Sequence, residues 1–154
     1  MVNQNDEFVK AKTAAFRLLK IRQRSAAELR DRLTRKNFSK AIVDETIAFL
    51  LVKKFLDDRA LTKAWIRYRQ ARPYGAGRIR MELRQKGVEE AVIHEELAVA
   101  FGEYSEGDVV LELARKRAAR YRDVEPVKRK KRVFDFLVRR GFSIDAIIKA
   151  VKKL

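Results

Sequence analysis

The chain contains no cysteine, one histidine, two prolines and six glycines in 154 residues. Without cysteine there is no disulfide framework, no thiolate nucleophile and no Cys-ligated zinc. The single histidine, His94, stands beside Glu90, Glu95 and Glu96 on a helical stretch, where an imidazole reads as a surface group and not as a base or metal ligand. Long apolar runs are missing as well: the longest, Ile47 to Val52, is far too short to cross a bilayer. The opening Met1 to Phe16 has neither a basic leader nor an unbroken apolar core, so a secretory leader is not expected. No HExxH, P-loop, GxSxG or carboxylate-ligand cluster is present. Asp57-Asp58 looks like an acid pair, but adjacent carboxylates before a helix serve most simply as N-caps. No catalytic residue, metal or cofactor is expected. The chain reads as a binding or regulatory protein of the reducing cytoplasm with no membrane segment.

Acidic residues are also scarce, 21 against 37 Lys+Arg, which gives a formal charge of +16 and a pI near 10.4. Apolar content of 47% is still enough to offset chain entropy, so a folded protein is expected and not a disordered polyelectrolyte. Apolar residues recur with helical spacing almost everywhere, and sustained alternation is absent, which predicts an all-α chain. One pattern comes three times, at Glu28–Ile47, Arg78–Leu97 and Arg132–Val151. Repetition at offsets of 50 and then 54 residues points to a helical array.

The middle of each copy carries the physical content. Lys36-Asn37-Phe38-Ser39, Lys86-Gly87-Val88-Glu89 and Arg140-Gly141-Phe142-Ser143 share one logic. A cation in the last turn complements the helix dipole, Gly or Asn takes a left-handed position, and an apolar residue packs back on the helix. Ser39 and Ser143 then offer N-caps for the next helix, and Glu89 a negative charge. A third helix precedes each pair: Phe8–Ile21 with Phe8, Ala11, Ala15, Leu18 and Leu19 on one stripe; Arg59–Arg72 with Leu61, Ala64, Trp65 and Tyr68; Glu106–Tyr121 with Val109, Val110, Leu113, Ala114 and Arg117. Ser25 with Glu28 reads as a capping box, Ser105 with Asp108 as a weaker one. Pro126 fits a first helical turn, and Pro73 ends the helix before it. These signals predict nine helices in three three-helix units, 1–56, 57–105 and 106–154. The strongest core face is Ile42, Val43, Ile47, Leu50 and Leu51, with Ile147, Ile148 and Val151 as third-copy counterparts.

The charge is uneven. Residues 1–56 hold 13 cations and 6 acids, 57–105 hold 9 and 8, and 106–154 hold 15 and 7. Two strongly basic ends favour a polyanion or a complex containing one. The densest run, Lys128 to Arg132, is equally a solvated helix face and a phosphate contact. Arg67 to Arg78 interleaves arginines with tyrosines before a glycine-containing helix start. One reading is a phosphate held by side chains and backbone amides; the other is that Gly75 and Gly77 only permit a turn while Tyr68 packs in a core.

The order Leu19-x-x-Arg22-x-x-Ser25-x-x-Glu28-Leu29, then Leu33-x-x-Lys36-x-Phe38, resembles the opening of the bacterial RecX recombination regulators. Phe55-Leu56-Asp57-Asp58-Arg59-Ala60 is similar to their aspartate-pair junction. Arg69, Gly75, Arg78, Ile79 and Glu82 to Val88 resemble the family's most distinctive stretch, with Asn37 standing where a glycine is usual. The resemblance implies tandem three-helix repeats in an elongated, curved array. It further implies a protein that binds the groove of the RecA filament on DNA and suppresses RecA's recombinase, ATPase and co-protease activities, with no cofactor. Arg22, Arg69 and Arg78 match the family motif as candidate contacts; Arg24, Arg32, Arg35, Arg67, Arg72, Arg80, Lys130, Lys131 and Arg132 are candidates from charge. Leu29, Leu33, Phe38, Ile79, Leu83 and Val88 are expected in the core. A monomer is expected, touching the filament and DNA itself. The alternative is a free-standing helix-turn-helix-like DNA-binding protein. Against it, the third helices carry acids where a recognition helix presents Arg, Asn or Gln to bases.

Overall fold

Helix ends fall where the capping chemistry puts them. The computed structural model describes residues 3–154. Among them are nine α-helices and no strand: α1 Gln4–Ile21, α2 Ala26–Arg35, α3 Lys40–Val52, α4 Asp58–Gln70, α5 Ala76–Gln85, α6 Glu90–Phe101, α7 Glu106–Ala118, α8 Pro126–Arg139 and α9 Ile144–Lys152. A short 3-10 turn, Ala119–Tyr121, prolongs α7. Ser25 and Glu28 form a complete capping box at α2. The Ser39 and Ser143 hydroxyls accept from the backbone N–H of Ile42 and Ala146. Asn37, Gly87 and Gly141 all sit at positive φ, 63°, 72° and 79°. The left-handed corner is thus made three times, once by asparagine, the side chain that tolerates it best after glycine. Ser105 departs from expectation: its hydroxyl donates to Asp108 at 2.6 Å and caps no backbone group.

The chain folds as two compact units, one containing residues up to Ala64 with Leu83–His94, the other Trp65–Glu82 with Glu95–Leu154. In the first, Ala15, Leu29, Leu33, Val43, Ile47, Leu50 and Leu56 form the core, with Leu18, Leu19 and Phe38 packed against it. Removing one such leucine side chain costs about 2–5 kcal/mol. Leu51, expected in this face, is instead 44% exposed; the buried stripe of α3 continues through Thr46, whose hydroxyl donates to the Ile42 carbonyl. In the second unit Val110, Ala114, Val133, Leu137, Phe142, Ile147 and Ala150 form the core. There Ile148 lies outward and Ala150 inward. Tyr68, placed on an apolar stripe by its spacing, is 45% exposed, and Leu61, Thr62 and Ile66 are the buried residues of α4.

Each unit contains a close approach between a helix start and a corner. In the first, the Ser25 hydroxyl donates to the Lys86 carbonyl, and a Cβ on Gly87 would collide with the Cβ of Ala27. In the second, the N–H groups of Gly75 and Gly77 donate to the carbonyls of Arg140 and Gly141 at 2.8 and 3.1 Å. A Cβ on Gly75 would lie 2.5 Å from the Gly141 carbonyl carbon and 2.6 Å from the Phe142 nitrogen. α8 starts with Pro126 in its first turn, so Arg129 lies within the helix, its N–H donating to the Glu125 carbonyl at 2.9 Å.

Candidate functional site

Four of the candidate arginines are gathered by the first unit. Arg22, Arg24, Arg32 and Arg35 line an open hollow of about 220 Å³ together with Glu28 and Asp31. The capping box at Ser25 fixes the turn between α1 and α2, so Arg22 and Arg24 face the first two turns of α2. Arg22 pairs with Glu28 at 3.0 Å and Arg35 with Asp31 at 3.0 Å. Arg24 is 8% exposed. Burial, and after it the charges of Arg22 and Arg32, push its guanidinium below the ordinary value, with Glu28 opposing. Burial alone would raise the Glu28 carboxyl; hydrogen bonds from Arg22 and the Ser25 N–H, with the charges of Lys86 and Arg22, carry it below its usual range. The hollow is a concentration of positive charge that its two acids do not neutralise, which is what attracts an anionic partner.

In the second unit the arginine–tyrosine segment is a knot. Glu82, 7% exposed, accepts from Trp65 Nε1 at 3.0 Å, from Arg69 Nε at 2.7 Å and from Arg78 Nε at 3.0 Å. The Arg69 guanidinium lies 4.9 Å from the Trp65 and Tyr74 ring centres. Charge-assisted bonds from two guanidinium groups to one buried carboxylate hold α4 and α5 in register. Arg69 and Arg78, which matched the motif as contacts, therefore position this carboxylate. Arg72 is exposed over the Tyr68 ring at 4.6 Å; Arg67 is exposed and Arg80 half-buried. The N–H groups of Gly75 and Gly77 are taken by the carbonyls of Arg140 and Gly141, so the phosphate cradle considered for this helix start is filled by the chain's own backbone.

Along α8, Lys131 and Arg132 are exposed and Lys130 is half-buried, with Arg132 5.3 Å from the Tyr121 ring centre. The run is neither fully solvated nor one uniform face. Asp57 accepts from the Ala60 N–H at 2.9 Å and so caps α4. Asp58 reaches the Ala26 N–H at 2.9 Å and caps α2 instead. Burial, with the charges of Asp57 and Glu28, raises the Asp58 carboxyl against the lowering effect of that N–H.

Sequence reasoning passed over Glu82, Arg117 and Arg140. Arg140 was assigned to the dipole of its own helix, yet its Nη1 donates to the Arg72 carbonyl at 2.8 Å, 68 residues away. Arg117 stood on an apolar stripe, and that position was the available signal of an arginine held among aromatic rings. Among the described residues no group of His, Cys, Asp or Glu could hold a metal ion. No helix among them is long and apolar enough to cross a membrane.

The architecture is that of a helical-repeat protein made of tandem three-helix domains, with arginines clustered at the helix junctions. Family models for the first, second and third three-helix domains of RecX match residues 11–50, 57–97 and 105–151. The chain belongs to the RecX family of regulatory proteins. It is 33% identical over 129 residues to "Regulatory protein RecX" of Haemophilus influenzae strain PittGG, covering 83% of this chain and 84% of that one. It is 29% identical over 153 residues to the protein of that name from Clostridium perfringens strain 13, covering 98% and 71%. The crystal structure of RecX from Lactobacillus salivarius superimposes with a TM-score of 0.82 over 97% of both chains at 22% identity, a likeness of fold.

Proposed function

We propose that this chain regulates RecA: as a cytoplasmic monomer it binds the RecA filament on DNA and suppresses recombinase, ATPase and co-protease activity, modulating repair by homologous recombination and the SOS response. The observation that carries this reading is the hollow of Arg22, Arg24, Arg32 and Arg35, beside two acids only. Such a surface suits phosphates and acidic protein, and it makes binding salt-sensitive. The recognition modules are the repeats 1–56, 57–105 and 106–154, whose individually weak contacts add because they share one chain. Arg22, Arg24, Arg32, Arg35, Arg67, Arg72, Arg80, Lys130, Lys131 and Arg132 make contacts in this proposal, while Arg69 and Arg78 act through Glu82. Inhibition then needs no reacting group, only a higher affinity for one state of the filament.

Titration into DNA-dependent RecA ATP hydrolysis at two salt concentrations tests the proposal. Suppression that weakens as salt rises is expected. Reversing charge with Arg32→Glu and Arg35→Glu should raise the concentration for half-inhibition about tenfold. Unchanged hydrolysis at every ratio would overturn the proposal. So would tight, sequence-selective binding to bare duplex that exceeds binding to RecA-coated DNA.

A further inference from the structure

One hollow of the second unit is lined by none of the candidate contacts named above. It encloses about 490 Å³ between α7, the 3-10 turn and the end of α8, lined by Leu113, Lys116, Arg117, Ala119, Arg120, Phe136 and Arg140. Four of the seven are cations, none is an acid, and the remainder are apolar. Its volume is within the range of sites that enclose a small ligand or a few side chains.

The arginines are held in place. Arg117 lies 4.6 Å from the Phe136 ring centre and 5.3 Å from that of Tyr121, and its buried Nε–H has no hydrogen-bond acceptor. Arg140 is fixed over Tyr74 and Phe136 at 4.7 and 5.0 Å and by its bonds to the carbonyls of Arg72 and Pro73. Lys116 pairs with Glu112 at 2.5 Å across an exposed surface, a pair of little net worth that a better acid can replace. Arg120 is exposed. A buried guanidinium N–H without an acceptor is costly, and an incoming carboxylate that draws on this guanidinium relieves part of that cost.

The lining selects among anions. A single nucleic-acid strand binds through base stacking on free aromatic faces. Here Phe136 already has Arg117 and Arg140 within 5.0 Å, and Tyr121 has Arg117 and Arg132 at 5.3 Å. A phosphodiester also brings nothing to cover Leu113 and Ala119. An acidic peptide bearing one apolar side chain satisfies both halves of the lining. We infer that this hollow is a docking site for such a peptide, its carboxylates meeting Lys116, Arg117, Arg120 and Arg140 and its apolar side chain resting on Leu113 and Ala119. This goes beyond the filament proposal and does not depend on it.

The probe is the blocked pentapeptide Asp-Glu-Leu-Asp-Glu, titrated into the full isotope-labelled chain. Shifts confined to the amides of 113–120 and 136–140 and to the Arg117 Nε–H are expected. Arg120→Glu and Lys116→Glu, both exposed positions, should each weaken binding about tenfold, while Arg35→Glu in the other unit should leave it unchanged. Replacing the central leucine by serine should weaken binding to a similar degree. The inference is overturned if the serine peptide binds equally well, or if the shifts map elsewhere. It is also overturned if an oligothymidine strand shifts the same signals at lower concentration, which would make the hollow a nucleic-acid site.

Discussion

The start of α2 against the Lys86-Gly87 corner and the start of α5 against the Arg140-Gly141 corner are one joint built from different atoms. Ser25 and Gly75 occupy matching positions in the repeat, and each donates to the carbonyl at the matching corner position, Lys86 or Arg140. Serine does so with its hydroxyl, glycine with its backbone N–H. The glycine version lets backbone touch backbone: a Cβ on Gly141 would lie 2.8 Å from the Arg78 Cα and closer still to its nitrogen. In the serine version the obstacle to a Cβ on Gly87 is a side chain, the methyl of Ala27. In the serine joint Glu28 and Asp58 accept from backbone N–H groups of the helix start; in the glycine joint Glu82 holds Arg78 and Glu106 caps the Ser143 N–H beside the corner. The same contact is therefore closed backbone to backbone in one unit, and through a hydroxyl and a methyl in the other.

The largest effect should come from closing the glycine joint. Gly141→Ala adds a left-handed penalty to a collision with backbone, and should cost about 4 kcal/mol in urea unfolding. Arg78→Gly should not rescue it, because the Arg78 nitrogen stays in the way. Gly87→Ala should cost less, about 2–3 kcal/mol, and a double-mutant cycle with Ala27→Gly should give a favourable coupling of about 1 kcal/mol. Equal costs and no coupling would erase the distinction between the joints. Ser25→Ala removes both the cap on the Glu28 N–H and the donor to Lys86, and should cost about 1–2 kcal/mol.

The smallest effects are in pH. The Glu28 carboxyl is lowered in the fold, so its contribution is present above its unfolded value, about 4.3, and fades as pH falls through the lower folded value. Glu28→Gln should destabilise by about 1 kcal/mol at neutral pH and become neutral in strong acid. Asp58 has the opposite sign: its raised carboxyl favours folding below its unfolded value, about 3.9, and that contribution is lost as pH rises through the folded value. Asp58→Asn keeps an acceptor for Ala26, and should stabilise slightly at neutral pH with no gain in strong acid. Unfolding curves across pH check both signs.

The helices and corners were legible because their signals are local. Ser25 with Glu28, Ser39, Ser143, Gly87 and Gly141 act on backbone within a few residues, and the repeat itself marked Asn37 as left-handed. What escaped was longer in range. Asp57 and Asp58 look interchangeable in the sequence, yet Asp58 reaches a helix 32 residues earlier. Arg78 and Glu82 stand at i,i+4 spacing, a local signal, but nothing local shows that Glu82 also holds Arg69. Tyr68 and Leu51 were misplaced because spacing selects a stripe and not its width. For the candidate site, charge found the first-unit hollow and missed the second, where Arg117 and Arg140 are embedded among rings instead of massed in a run.

The third copy does not repeat the small residues of that joint. The places matching Ser25 and Ala27, or Gly75 and Gly77, fall in the third copy on Arg129 and Lys131, inside α8. The Arg129 amide is already engaged with Glu125, and two long cations stand where small residues would have to be. The joint made by Ser25 and by Gly75 therefore has no backbone or hydroxyl counterpart at this helix start.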